Sequence, residues 1–313
     1  MNILLAYDGS KHAQAAADLV RSLPLPHPSS LYLLGVLSPR ESSNHAILEA
    51  SLDQMTSSIQ SPEMTVESEV TVGDPAETIL NYTEKLDPDL LVLGAKGLRA
   101  TLGILLGGVA QQIIEYASLP VLVVRAPFKR LKKILLVTDG SRCSETAINY
   151  LAGKVSPEGV FLGEQFPLPL SVEVDVLHVL PPAPSADLLA RNWPMGPELI
   201  PTTTFDVAYE NSFLEEEQAA GQALVDKLVL RLEMSGIPAN GILLRGDAAT
   251  EIIEYAKAHQ IDLVVAGSRG LSAVKGWWLG SVSRKLVHYA GWSVLIVKGL
   301  PHCVKILESE DMN

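Results

Sequence analysis

Asp262-Leu-Val-Val-Ala-Gly267-Ser268-Arg269-Gly270, then nine residues, then Gly280-Ser281, is the stretch whose reading decides the fold. A short apolar run of strand length ends in glycine, a glycine-spaced loop follows, and a helix-like segment begins at Gly280-Ser281. Such a junction suits a phosphate: glycines let backbone N–H groups come close, and a helix N-terminus stands beside them. The same pattern occurs earlier as Asp89-Leu-Leu-Val-Leu-Gly94-Ala-Lys96-Gly97, nine residues, then Gly107-Gly108. The chain is therefore read as a duplication, complete in its second copy and degenerate in its first, where Gly108 stands in the place of Ser281.

The duplication extends outward from the glycines. Ile3-Leu-Leu-Ala-Tyr-Asp8-Gly9-Ser10 matches Ile134-Leu-Leu-Val-Thr-Asp139-Gly140-Ser141, and Pro120-Val-Leu-Val-Val124 matches Ser293-Val-Leu-Ile-Val297. Gly94 and Gly267 stand further apart than Asp8 and Asp139, so the second half has gained chain before its third strand. Proline-rich stretches at 157–169 and 181–201 account for the gain. Between the landmarks, short Val/Leu/Ile runs alternate with amphipathic segments, the pattern of parallel strands buried on both faces. Each half reads β-α-β-α-β-α-β-α-β. In the second half the strands are expected near 133–138, 172–179, 239–244, 262–267 and 293–298. Ser10 and Ser141 are placed to cap the following helices, with Ala13, Ala16, Val20 and Ala147, Ile148, Leu151 facing inward. The fold class is α/β: two tandem open five-stranded parallel sheets with flanking helices, over 1–126 and 132–299, with a polar tail at 300–313 expected to fray.

Composition narrows the function classes. The 313 residues suit about two domains, and 47% hydrophobic residues supply material for two cores. A net charge of −12 disfavours a nucleic-acid backbone as partner. Cys143 and Cys303 lie far apart with no metal-type spacing, which speaks against a disulfide scaffold or structural metal. The N-terminus lacks a basic region, and no apolar run approaches the roughly 18 residues of a membrane span. A reduced, cytoplasmic protein is the expectation.

Ligands of open α/β sheets sit beyond the C-terminal strand ends. There the first-strand carboxylates, Asp8 and Asp139, meet the glycine loops after the fourth strands. The carboxylate can accept hydrogen bonds from a nucleoside, while loop amides, the Ser281 hydroxyl and the helix dipole face phosphates. The loop glycines tolerate positive φ and have no Cβ to shield their amides. Within the acidic chain, the span 267–285 carries Arg269, Lys275, Arg284 and Lys285 and no acid; 94–112 carries only Lys96 and Arg99.

These residues resemble tandem universal stress proteins, two UspA-type domains in one chain. That family's nucleotide-binding motif, G-x2-G-x9-G-[S/T], is met by Gly267, Gly270, Gly280 and Ser281, alongside the strand-one Asp139 and His178-Val179 at the end of strand two. The resemblance implies a Rossmann-like, adenine nucleotide alpha hydrolase-like fold and a bound ATP or AMP, with Mg2+ through the phosphates as a further option. It implies that Asp139 and the Val179 backbone contact the nucleoside, and that Gly267, Arg269, Gly270, Gly280, Ser281 and Val282 surround ribose and phosphates. In the first half Asp8, Val36, Gly94, Gly97, Gly107 and Gly108 form the corresponding weaker site, with Gly35 in the place of His178. The resemblance also implies pairing of the last strands, Val121–Val124 with Val294–Val297, as an intrachain pseudo-dimer; a homodimer of the whole chain stays open.

Other features read more plainly. His178 reads as a strand-end histidine rather than a catalyst. Trp277-Trp278 read as packing, with a phosphate lid or partner surface as the alternative. The 181–205 insertion around Trp193 reads as a surface loop or functional cover, and Glu215–Glu217 as a solvated helix face. No Walker, zincin, kinase or nucleophile-elbow signature is present. The preferred function is nucleotide binding in a stress-response role; a slow ATPase or self-phosphorylating enzyme using Ser281 or Ser283, and a nucleotide-free scaffold, remain alternatives.

Overall fold

A computed structural model describes residues 1–61, 64–98, 105–128, 130–155, 161–162, 165–183, 204–268 and 279–298. The first half runs β1 (Asn2–Ala6), α1 (Lys11–Ser22), β2 (Ser29–Leu37), α2 (His45–Ile59), β3 (Met64–Val72), α3 (Pro75–Leu86), β4 (Leu90–Gly94), α4 (Gly108–Tyr116) and β5 (Val121–Val124). The second runs β6 (Lys133–Thr138), α5 (Arg142–Ala152), a small hairpin of β7 (Lys154–Val155) and β8 (Phe161–Leu162), β9 (Glu173–Leu180) and α6 (Thr204–Met234). It continues through β10 (Ala239–Arg245), α7 (Ala248–Ala258), β11 (Leu263–Gly267), α8 (Ser281–Tyr289) and β12 (Ser293–Val297). The helix starts follow local chemistry. Ser10 Oγ accepts from the Ala13 amide at 3.1 Å and Ser141 Oγ from the Ser144 amide at 3.2 Å. Asp74 and Asp247 cap α3 and α7 in the same manner.

Within each half the strands of the main sheet are parallel, and their spatial order reverses beside the first strand: β3-β2-β1-β4-β5 and β10-β9-β6-β11-β12. The two units are joined. β5 and β12 pair antiparallel, Val121 opposite Ile296 and Val123 opposite Val294, to make one ten-stranded sheet. The last-strand pairing implied by the family resemblance is thus present within the chain, and two separate sheets become one. Each central strand buries both faces: Leu90, Val92 and Leu122 pack with α1, α2, α5 and α6, while Leu91, Leu93 and Val123 pack with α3, α4, α7 and α8. Ala13, Ala16, Val20, Ala147, Ile148 and Leu151 are all buried under the first of these layers.

Candidate functional site

The order reversal opens a crevice beyond the C-terminal ends of β1 and β4, the usual ligand position in such sheets. There the first half has a cavity of about 1120 Å3, slightly above the usual range of small-molecule pockets (about 300–1,000 Å3). Asp8, Val36, Gly94, Gly97, Gly107 and Gly108 all line it. Asp8 is firmly placed: Oδ1 accepts from the Ser10 amide at 3.0 Å and Oδ2 from the Leu98 amide at 3.1 Å. A Cβ at Gly97 would lie 2.6 Å from Asp8 Oδ2, so glycine there lets the loop close onto the carboxylate. Ser10 Oγ donates to the Lys96 carbonyl at 3.1 Å, and the Gly107 amide donates to the Ala95 carbonyl at 2.8 Å. The Asp8 carboxylate and the glycine loop are therefore one hydrogen-bonded unit. At the far wall Tyr7 donates to Gln14 Oε1 at 3.3 Å and stands 3.2 Å from Ser51 Oγ.

The second half repeats the frame. Asp139 Oδ1 accepts from the Ser141 amide at 3.0 Å, and the Gly280 amide donates to the Ser268 carbonyl at 2.7 Å. Gly280 is the N-cap of α8, with Ser281 and Val282 in its first turn. Ser283 is buried and its hydroxyl donates to the Gly267 carbonyl at 2.8 Å, which engages it in the fold and leaves Ser281 as the candidate hydroxyl for a ligand. Arg269 and Gly270, with Lys275, Trp277 and Trp278, lie outside the described residues, as do Arg99, Trp193, residues 184–203 of the insertion, Cys303 and the 300–313 tail.

The glycines divide by role. None of Gly94, Gly97, Gly107, Gly267 and Gly280 adopts positive φ; Gly9 and Gly140, directly after the aspartates, do, at +78° and +75°. Gly94 and Gly267 instead seat a helix. A Cβ on Gly94 would lie 2.7 Å from the backbone of His12 and Ala13, and one on Gly267 would lie 2.6 Å from the Cys143 backbone. Gly108 is different, because a Cβ there meets nothing within 4 Å.

The substitution of Gly35 for His178 has a packing cause. The register places Leu34 opposite Ala6 and Leu177 opposite Val137, so Gly35 and His178 occupy one position of the repeat, as do Val36 and Val179. Over Gly35, α2 supplies Leu48 and Leu52, whose side chains a Cβ would meet at 2.9 and 3.0 Å. Over His178, α6 supplies Gly221, and the bulk has moved from helix to strand. His178 Nδ1–H donates to the Thr138 carbonyl at 2.9 Å, a structural bond at the end of β6. Of the acidic triplet, Glu215 and Glu216 are exposed, whereas Glu217 pairs with Arg245 at 2.6 Å in a half-buried contact that the sequence reading missed.

The seam brings residues of one half to the other's site. Arg125, buried just after β5, donates through Nη2 to the Val287 carbonyl of α8 at 2.8 Å and through Nη1 to the Leu105 carbonyl of the first-half loop. Lys298, buried just after β12, donates to the Ile114 carbonyl of α4. Arg125 corresponds to Lys298, and Ile114 to Val287, at the offset that relates Gly94 to Gly267. Each cation completes the C-terminal end of the opposite half's helix, where free carbonyls and the dipole favour positive charge. Arg284 and Glu115 add a partly exposed pair at 3.6 Å. Beyond Val287, His288 and Tyr289 enter the wall of the first-half cavity, residues that the motif gave no reason to select. Burial and the nearby Arg284 and Arg125 hold the His288 pKa below its ordinary value; burial, Arg125 and Lys96 do the same for His12. Burial alone brings Arg125 down to about 10, still a cation at neutral pH.

Two doubly wound units fused along their last strands, each with an aspartate ending its first strand at the switch point, define a tandem α/β class of protein. The universal stress protein family model matches residues 1–125 and 130–298, and the chain belongs to that family. It is 25% identical over 320 residues to a universal stress protein of Mycolicibacterium smegmatis, covering 95% of this chain and 96% of that one. The crystal structure of a universal stress protein from Archaeoglobus fulgidus superposes with a TM-score of 0.60 at 16% identity, over 96% of this chain and 97% of that one, a likeness of fold. Universal stress proteins have also been crystallised with cAMP (TM-score 0.33, 24% identity, 40% of this chain and 96% of that one) and, from Arabidopsis thaliana, with AMP (TM-score 0.29, 20% identity, 40% and 91%). Among the described residues no helix is long and apolar enough to cross a membrane, and no cluster of His, Cys, Asp and Glu is arranged to hold a metal ion.

Proposed function

We propose that this universal stress protein binds an adenine nucleotide, ATP or AMP, at its switch points and serves as a cytoplasmic stress-response regulator rather than as an efficient catalyst. The observation that carries the reading is the fixed pairing, in the first half, of a strand-end carboxylate with a glycine loop beside a helix N-terminus, with the matching strand-end carboxylate and helix N-terminus in the second half. The carboxylate suits nucleoside hydroxyl or amino donors, and the amides suit phosphate oxygens. Asp139, the Val179 backbone, Gly267, Arg269, Gly270, Gly280, Ser281 and Val282 form the tighter site in this proposal, because Ser281 adds a hydroxyl donor and the local charge is more positive. Gly267 acts there by seating α5 beside the ligand. Any Mg2+ would arrive on the phosphates, not on a protein cage.

The test is what the protein carries and takes up. Purified chain is denatured and the supernatant chromatographed for released adenine nucleotide, with calorimetric titration of ATP on the emptied protein. Released AMP or ATP, or saturable binding, is the expected result. No release together with no heat at millimolar ATP rejects the reading in favour of a nucleotide-free scaffold.

A further inference from the structure

The first-half glycine motif ends in Gly108, and the second half reaches the cavity beside it. We propose that Tyr289 and His288 are ligand-binding residues of the first-half cavity, and that the Tyr289 hydroxyl supplies in trans the phosphate contact that Gly108 lacks. This rests on the reading that the cavity takes a nucleotide, and it makes the first site a composite of both halves.

Three observations carry it. Both residues line the cavity together with Leu105, Gly107 and Gly108, although they belong to the other half of the chain. Their place is fixed at the glycine-loop end: one guanidinium, Arg125, holds the Leu105 carbonyl with one nitrogen and the Val287 carbonyl with the other, and His288 follows Val287 directly. Tyr289 is 62% exposed, so its ring is not committed to the core and its hydroxyl is available to a ligand.

The repeat sharpens the assignment. At the offset that relates Gly94 to Gly267, the residues of α4 that correspond to His288 and Tyr289 are Glu115 and Tyr116. The first cavity is therefore offered an imidazole, and the corresponding position in the other half is a carboxylate paired with Arg284. A phosphate tolerates an imidazole at that place, whereas a carboxylate facing it would repel it. The half that lost its serine is the half whose visiting helix end carries no acid.

ATP titration calorimetry in an Asp139→Ala background, where the first site dominates, tests the proposal. Tyr289→Phe is expected to weaken binding by about tenfold to a hundredfold, the range for losing one hydrogen bond to a charged group. Tyr116→Phe should leave it unchanged. Gly108→Ser, for which the structure has open space, should recover most of the loss when added to Tyr289→Phe. Unchanged affinity in Tyr289→Phe, or an equal loss in Tyr116→Phe, overturns the proposal. So does an Asp139→Ala protein that binds no ATP while the parent chain still binds it, an outcome that leaves the proposed function standing. A parent chain that binds no ATP at all removes both.

Discussion

Replacing Gly94 by alanine separates a glycine kept for packing from one kept for a ligand. The added methyl would lie 2.7 Å from the His12 carbonyl carbon and the Ala13 nitrogen, backbone atoms of the first turn of α1 that cannot rotate away. Overpacking of this kind costs about 1–3 kcal/mol, and immovable obstacles place Gly94→Ala near the upper end. Displacing that turn also stretches the Ser10 cap, which bridges the Ala13 amide and the Lys96 carbonyl; a lost cap costs about 1 kcal/mol. The sum is roughly 3–4 kcal/mol, and at about 2–4 °C per kcal/mol for domains of this size the melting temperature should fall by roughly 6–15 °C. Gly108→Ala is the matched control. Its methyl enters open space at the first position of α4, and alanine is the better helix former by up to about 1 kcal/mol. Calorimetric scans of both variants on the whole chain, with ATP affinity measured in parallel, are the assay. Gly94→Ala melting within about 2 °C of the parent, below the shift expected for even 1 kcal/mol, would refute the packing role assigned to that glycine.

Arg125→Met should lower stability by roughly 1–3 kcal/mol, because the buried Val287 carbonyl loses its donor, and Arg125→Lys should recover part of that; urea melts decide, and a neutral Arg125→Met rejects the clasp. His12 and His288 both have lowered pKa values in the fold, so between those values and the unfolded value of about 6.5 the unfolded chain binds protons that the native one refuses. Stability is then fully present well above the unfolded value of about 6.5 and declines as the pH falls through it toward the lowered folded values. Denaturant midpoints across that range should drop, and His12→Asn should flatten the slope; a parent midpoint independent of pH contradicts it. Asp139→Ala should remove most high-affinity ATP binding while Asp8→Ala removes only a weaker class, and equal losses in the calorimeter would refute the ranking of the two halves.

What was legible in the sequence was local or repeated. Ser10 and Ser141 announce their helices because a cap acts within a single turn, and the doubled Asp-Gly-Ser and glycine patterns place the strands around each crevice. The antiparallel joining of β5 and β12 rested on family resemblance, since their buried Val/Leu/Ile runs carry no register of their own. The helix-seating roles of Gly94 and Gly267 were not legible, because a glycine demanded by a nearby helix backbone looks the same in a string as one that leaves room for a ligand. The Arg125 and Lys298 clasps, and the entry of His288 and Tyr289 into the first cavity, depend on contacts between the two halves of the chain. A signal was present nonetheless: each half places a cation directly after its last buried strand, at the same position of the repeat.

The central claim is that both switch points take an adenine nucleotide with unequal strength, and ATP titration of the intact chain beside its Asp139→Ala variant tests it most directly. The account predicts a tight class that disappears in Asp139→Ala and a weaker class that survives. No heat at millimolar ATP, or identical isotherms for the two proteins, would contradict it.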